Sequence, residues 1–449
     1  MLQAKSMAQL IKYWNTLKGS YWFIPTVMSI LAAALSFALT AIDARIGDAW
    51  VANMPWIYSI QAEGARGLLT TVAGSMIGVA GVTFSITIAA LSYTTSTLGP
   101  RLLTNFMNDR GNQVTLGTFV STFVYCLLLL RVVQASHESS AAFVPHLALV
   151  FAVGMAVASL AVLIYFIHHI TESLHVSNVV ANVARDLDSA IDDYEARVEA
   201  AREKPPANLP ADFDAQAVAV RATGDGYIQN LVFGSLVSTA ASHDLVLRIE
   251  RAPGDFVTAG QTLLWAWPKP RMDDDIAAAL VGAYAWGRQR TQSQDVFFLV
   301  NELVEIAARA LSPGINDPYT AMGCLDWLAG ALHRVARHDI ASRHGFDSDD
   351  TLRVWARGFD FETLANAVFD QLRAYFASDR NAAVHMLARI GDAGEFLRDA
   401  DQRRLMHTHA SALHEAALAA MTSDRDRQAV EQAYRRALRL IDGRDFSES

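Results

Sequence analysis

Four apolar runs without charge occupy the first 170 residues: Trp22–Ile42, Gly67 to about Tyr93, Val114–Leu130 and Phe143–Ile167. A helix crosses a bilayer with about 20 apolar residues, so each run predicts a span, the third being the shortest. From Thr171 to about Lys204 the pattern stays helical while charges accumulate, and Lys204–Pro205–Pro206 closes it. The period then changes. Between Ala217 and Pro268 the pieces AVAVRA, GYIQNL, DLVLRIER and FVTAGQTLLWAW alternate like strands, with turns at Gly224–Asp225–Gly226 and Pro253–Gly254–Asp255. After Asp273 the chain reads as helix to its end, with breaks near Arg288, Pro313, Gly345, Gly358, Ser378 and Thr422.

This pattern predicts an α-helical membrane protein in five parts. They are a cytoplasmic segment (1–21), a four-helix transmembrane domain (22–170), an amphipathic helix with linker (171–215), a small barrel-like β domain (216–270) and an all-α cytosolic domain (271–449). Leu98–Gly99–Pro100 is a stop signal for the second span, and Arg101–Met107 reads as a short amphipathic turn at the inner surface.

The second run is unusual. Gly67 to Pro100 holds no charged residue over 34 positions, yet it is rich in Gly, Ala, Ser and Thr rather than Leu. Gly74, Gly78, Gly81, Ser85, Ala89 and Ser92 recur at steps of four and three, which places them on one helix face. Met76, Ala80, Thr83, Thr87, Ala90 and Thr94 form a second stripe roughly opposite. In lipid, small residues let helices approach closely, and hydroxyls bond across helices or line a wet path. The first stripe (Gly74, Gly78, Gly81, Ser85) is therefore expected to pack against neighbours, and Met76, Thr83, Thr87 and Thr94 to line a pore.

Composition agrees with the membrane reading: 52% of the residues are hydrophobic and the mean hydropathy is +0.19. Charge adds orientation. Lys5, Lys12 and Lys18 precede the first span without an acid among them, which favours the cytoplasm. Four spans then leave both termini inside. Trp14, Tyr21 and Trp22 at one edge, and Trp50, Trp56 and Tyr58 at the other, read as interfacial anchors. Residues 1–170 carry a net +3 and the remainder −12, and an acidic soluble part argues against nucleic acid as a partner. Cys126 and Cys324 are the only cysteines, so no disulfide framework forms.

RTQSQD (Arg290–Asp295), ALSPGINDPYTA (Ala310–Ala321), GYIQ (Gly226–Gln229) and PGDFV (Pro253–Val257) then stand out. Together with the four spans they resemble a family of bacterial predicted membrane proteins classed as a domain of unknown function. The resemblance covers almost the whole chain and implies an inner-membrane location. It carries no established activity.

Candidate chemistry is sparse. GDFVTAGQTL looks like the closing hairpin of lipoyl and biotinyl carriers, but no Lys lies between Lys204 and Lys269. The β domain is therefore expected to be unmodified, and no cofactor is implied. His168, Glu172 and His175 at i, i+4 and i+7 would share a helix face and suit a divalent ion, although interfacial His and Glu are common. In the Ser312–Pro318 loop, Gly314 would supply an unusual φ, Asp317 a helix cap and Pro318 a first helical residue. Asn316 and Asp317, with Arg290, Gln294 and Asp295, are the candidate ligand-binding residues. The span cores hold no Asp, Glu, Lys or Arg, which argues against proton relays and charged ion sites. No nucleophile elbow, P-loop or dinucleotide fingerprint is present, so no enzyme is expected.

Two functions fit. One is a homo-oligomeric channel in the bilayer for an ion or small solute, regulated by its cytosolic part. The other is a membrane-anchored sensor or scaffold whose cytosolic domain binds a ligand or partner.

Overall fold

A computed structural model describes residues 20–46, 61–99, 109–133, 143–202, 208–337 and 342–443. Lys5, Lys12, Lys18, Trp14, Trp50, Trp56, Tyr58, the expected Arg101–Met107 turn and the Lys204–Pro206 break lie outside the described residues. Two compact units meet in sequence at His175–Val176.

Among its described residues the first unit has four helices long and apolar enough to cross a membrane: α1 (Phe23–Ile46), α2 (Ala62–Leu98), α3 (Arg110–Val132) and α4 (His146–Ser173). α2 has 37 residues, which makes it about 55 Å long, well beyond a hydrocarbon core of about 30 Å. It stops where expected, because Gly99 takes a φ of +131° that side chains with a Cβ rarely adopt. α3 is the hub. Half of its apolar window is buried, against about a fifth in the other three helices, and it packs against all of them. Gly117 permits one of these crossings, since a Cβ there would lie 3.2 Å from the Pro25 Cα of α1. Among the described residues of this unit, Asp43 is the one buried acid. Asp43, near the end of α1, accepts from the N–H groups of Leu147 (3.1 Å) and Ala148 (2.9 Å) and so caps α4.

The second unit begins with α5 (Val176–Arg202) and a short turn of helix, α6 (Phe213–Gln216). Next come β1 (Val218–Arg221), β2 (Gly226–Leu231), α7 (Phe233–Ser242), β3 (Val246–Ile249), β4 (Phe256–Val257) and β5 (Thr262–Trp267). Then follow α8 (Asp274–Gly282), β6 (Tyr284–Gly287), α9 (Val296–Ala310), α10 (Pro318–Arg337), β7 (Ser342–Phe346) and β8 (Leu352–Arg357). Four helices close the chain: α11 (Phe361–Ala377), α12 (Arg380–Asp392), α13 (Ala400–Ala420) and α14 (Asp424–Ile441).

Two expectations are corrected here. The β region is not a closed barrel. It forms an open five-stranded sheet, β1-β5-β3-β8-β7, and a three-stranded sheet, β4-β2-β6. The part after residue 271 is also not all-α, because β6, β7 and β8 lie in it. β8 pairs in parallel with β3, through Leu247↔Val354 and Ile249↔Ala356. Parallel pairing between residues 107 positions apart leaves no local turn signal, which is why the β domain reads as self-contained in sequence. The alternating burial of Leu352, Val354 and Ala356 was nevertheless present as a period of two. α7 interrupts the strands and buries Leu236 and Ala240, one helical turn apart. Gly345 of β7 lies so close to it that a Cβ would meet Val237 at 2.6 Å. Leu236, Leu247, Leu264, Leu280 and Val354 share the resulting core.

Candidate functional site

Within the membrane unit the two stripes of α2 take different places. Thr83, Thr87 and Thr94 are buried in their own bundle, at 4%, 3% and 4% exposure. Their hydroxyls donate to the carbonyls of Val79, Thr83 (2.9 Å) and Ala90 (3.0 Å). Met76 is half-buried. The expected pore lining is therefore packed against the other helices of its own chain. The cause is the company each stripe keeps: Ala65, Leu69, Ala73 and Leu98 extend the threonine face and fill the space against the bundle. The other stripe is open. A Cβ at Gly74, Gly78 or Gly81 would meet no atom within 4 Å, and Ser85 is exposed with its hydroxyl on the Gly81 carbonyl at 2.9 Å.

The start of α3 holds a polar cluster that sequence reasoning missed. Asp109 caps the helix by accepting from Gly111 N–H at 2.8 Å. Its other oxygen accepts from Asn112 Nδ2 (3.1 Å) and meets His169 Nε2 of α4 at 2.7 Å. Tyr165 stacks on that imidazole, the ring centroids 5.3 Å apart. The signal available in sequence was Asp-x-x-Asn at a helix start. Further along, the Thr122 and Ser159 hydroxyls bond at 3.1 Å between α3 and α4.

The proposed metal face does not assemble. His168 and Glu172 approach to 3.4 Å but are 74% and 61% exposed, and His175 lies beyond the end of α4 at Ser173. No group of three metal-ligating side chains occurs among the described residues. The adjacent His169 turns inward instead.

In the second unit, three of the sequence motifs meet. Arg290 holds the buried Asp295 through Nε (2.9 Å) and Nη2 (2.6 Å), while the other Asp295 oxygen accepts from Phe298 N–H at 3.1 Å and caps α9. Burial pushes the Asp295 carboxyl up, against the pull of Arg290. Gln294 accepts from Leu231 N–H of β2 at 2.9 Å, and Gln229 donates to the Gln289 carbonyl at 2.7 Å. Gly254, at φ +98°, lies where a Cβ would come 2.6 Å from the Asp295 carboxyl carbon. RTQSQD, GYIQ and PGDFV thus form one interlocked corner. The Ser312–Pro318 loop sits at the other end of α9, about 22 Å away, so Asn316 and Asp317 do not join Arg290, Gln294 and Asp295 in one site. In that loop Asn316, not Gly314, takes the positive φ, at 52°, as Asn tolerates. Asp317 caps α10 by accepting from Thr320 N–H (3.1 Å) and Oγ1 (2.5 Å), with Pro318 as the first helical residue. Beside the interlocked corner opens a cleft of about 200 Å³, walled by Tyr194, Phe233, Phe297 and Phe359 and rimmed by Arg343 and Arg357.

Comparison with known proteins agrees with the four helices. Uncharacterised proteins of Mycobacterium bovis and Mycobacterium tuberculosis are each 28% identical over 436 residues, covering 95% of this chain and 81% of theirs. No solved structure matches significantly. A family model described as "Predicted membrane protein (DUF2254)" matches residues 18–392, which takes in both units as far as α12. The chain belongs to this family of predicted membrane proteins.

Proposed function

We propose that the protein is a homo-oligomeric channel of the bacterial inner membrane, with both termini in the cytoplasm and the second unit as its regulatory part. The observation that carries this reading is the open stripe of α2. Lipid tails pack best against large aliphatic side chains, which this helix does carry on its flanks: Ile77, Val82, Phe84, Ile86 and Ile88 are exposed. Between them runs a face of Gly and Ser that offers lipid little contact but lets another backbone approach closely. The glycine half, Gly74 to Gly81, is the packing surface between copies. Ser85, Ser92 and Ser96, all exposed, give the other half a hydroxyl lining toward the shared axis.

The test combines assembly with conduction. Native mass measurement in nanodiscs should give an oligomer, and Gly78→Leu should reduce it to smaller species without unfolding, because open space surrounds that position. Ser85→Cys and Ser92→Cys should react with water-soluble thiol reagents. A wild-type monomer, or liposomes without solute flux, would remove the channel. The aromatic cleft supports a second reading, a sensor that takes a small amphipathic anion between its rings and arginines. Ligand-dependent stabilisation without flux would favour it.

A further inference from the structure

We propose that the second unit docks on a second copy of itself through α10, the two helices running antiparallel about a two-fold axis. α10 buries one face in its own unit and leaves the other uncovered. Tyr319, Gly323, Trp327 and Gly330 recur on that outer face at steps of four, four and three. Tyr319 is 76% and Trp327 45% exposed, and with Ile315 of the preceding loop they make up three of the five large exposed hydrophobics among the described residues of the second unit. In a unit that otherwise turns such groups inward, their gathering at one place marks an interaction surface.

The glycines identify the occupant. Glycine weakens a helix interior relative to alanine, yet a Cβ at Gly323 or Gly330 would meet no atom within 4 Å. No described neighbour requires glycine at either position, whereas a backbone approaching from outside does. A bilayer surface is fluid and fits around any side chain, so it gives no reason for a gap; a rigid helix does. The pattern is also self-complementary. Gly323 and Gly330 are symmetric about a point between Asp326 and Trp327. In an antiparallel pair Gly323 of one copy thus faces Gly330 of the other, and each Trp327 seats over the gap between the two glycines of the second copy. Tyr319 and Arg334 are symmetric about the same point, which sets the exposed ring of one against the guanidinium of the other. Charge follows this symmetry. The first half of α10 and its cap carry Asp317 and Asp326, the second half Arg334 and Arg337, so acid meets base at both ends. Bonds within the chain, Asp326 to His385 at 2.6 Å and Arg334 to Asp188 at 3.1 Å, hold two of these side chains at the borders of the strip. A patch that complements itself about a two-fold axis is the isologous contact of identical chains.

The contact is separate from the α2 stripe, and its test uses full-length protein in detergent and in nanodiscs. Cys126 and Cys324 are buried, so a short bis-maleimide reports on a cysteine placed on the strip. Asp326→Cys, beside the symmetry point, should give a covalent dimer, and Tyr375→Cys, similarly exposed on α11, should not. Adding Gly330→Leu to Asp326→Cys should abolish the dimer while the thermal midpoint holds or rises, because leucine is the better helix former and has open space there. The Asp326→Cys dimer should persist in the presence of Gly78→Leu, which separates a failure of the channel reading from a failure of this one. Absence of a dimer from Asp326→Cys would overturn the proposal; shielding of that cysteine in nanodiscs but not in detergent would then assign the face to the bilayer. A dimer that survives Gly330→Leu would overturn it as well.

Discussion

The two units differ in how many polar residues they bury and in how much apolar surface they expose. Of the sixteen buried polar or charged residues among those described, twelve lie in the membrane unit and four in the second unit. Large exposed hydrophobics among the described residues are far more numerous in the first unit, twenty-two against five. The same energetics produces both. In water the apolar surface is driven inward at about 25 cal/mol per Å². In a bilayer lipid accepts apolar surface, and small and polar residues gain most by turning toward other helices. A buried Thr or Asn therefore means different things in the two units: in the first it is ordinary packing material, in the second it marks a tie such as Asp295.

The contrast predicts unequal responses to the same change. Leu247→Ala, in the core between β3, β5 and β8, should cost about 2–5 kcal/mol, whereas Leu160→Ala on the exposed face of α4, 59% exposed, should cost close to nothing. Reversible unfolding of the full chain in detergent, followed by probes in each unit, would measure both. Equal costs would erase the distinction.

A somewhat smaller loss is expected at Gly254→Ala. The substituted residue would be strained at φ +98° and would press on Asp295, for about 2–3 kcal/mol together. Limited proteolysis should then cut at 253–255 or 290–295 first. Unchanged protection there would mean that the interlocked corner is not a tie.

Thr122→Val breaks the hydroxyl pair with Ser159 inside the membrane unit. Its cost should be only about 0.5–1.5 kcal/mol, as is usual for hydrogen bonds between membrane helices. A loss above about 3 kcal/mol would show that polar contacts in this bundle act as they do in a water-soluble core.

The smallest effect concerns pH. Arg353 lies between Asp347 (2.7 Å) and Asp244 (2.7 Å), and its guanidinium holds both carboxyls below their usual range. A depressed carboxyl means that the unfolded chain binds more protons. The stabilisation is thus complete above about pH 4 and is lost as pH falls through the depressed values. Arg353→Met should flatten the acid side of the stability curve of the second unit by lowering its stability modestly at pH 7, while the value at pH below the depressed carboxyls stays nearly unchanged.

The sequence by itself determined the four spans, the stop at Gly99, the Asp317–Pro318 helix start and the strand segments from 218 to 267. Each is local: an apolar run, a turn residue or a cap acts within a few positions of itself. Tertiary structure alone decided which face of α2 is packed, because both faces are small and uncharged and only the neighbouring helices distinguish them. It likewise decided that β8 pairs with β3 residues 107 positions earlier, and that His169 rather than His168 turns inward to Asp109. The pairing of Asp109 with His169, and of Gly254 with Asp295, joins residues 60 and 41 positions apart. Such contacts depend on how helices and strands cross, and no period along the chain records that.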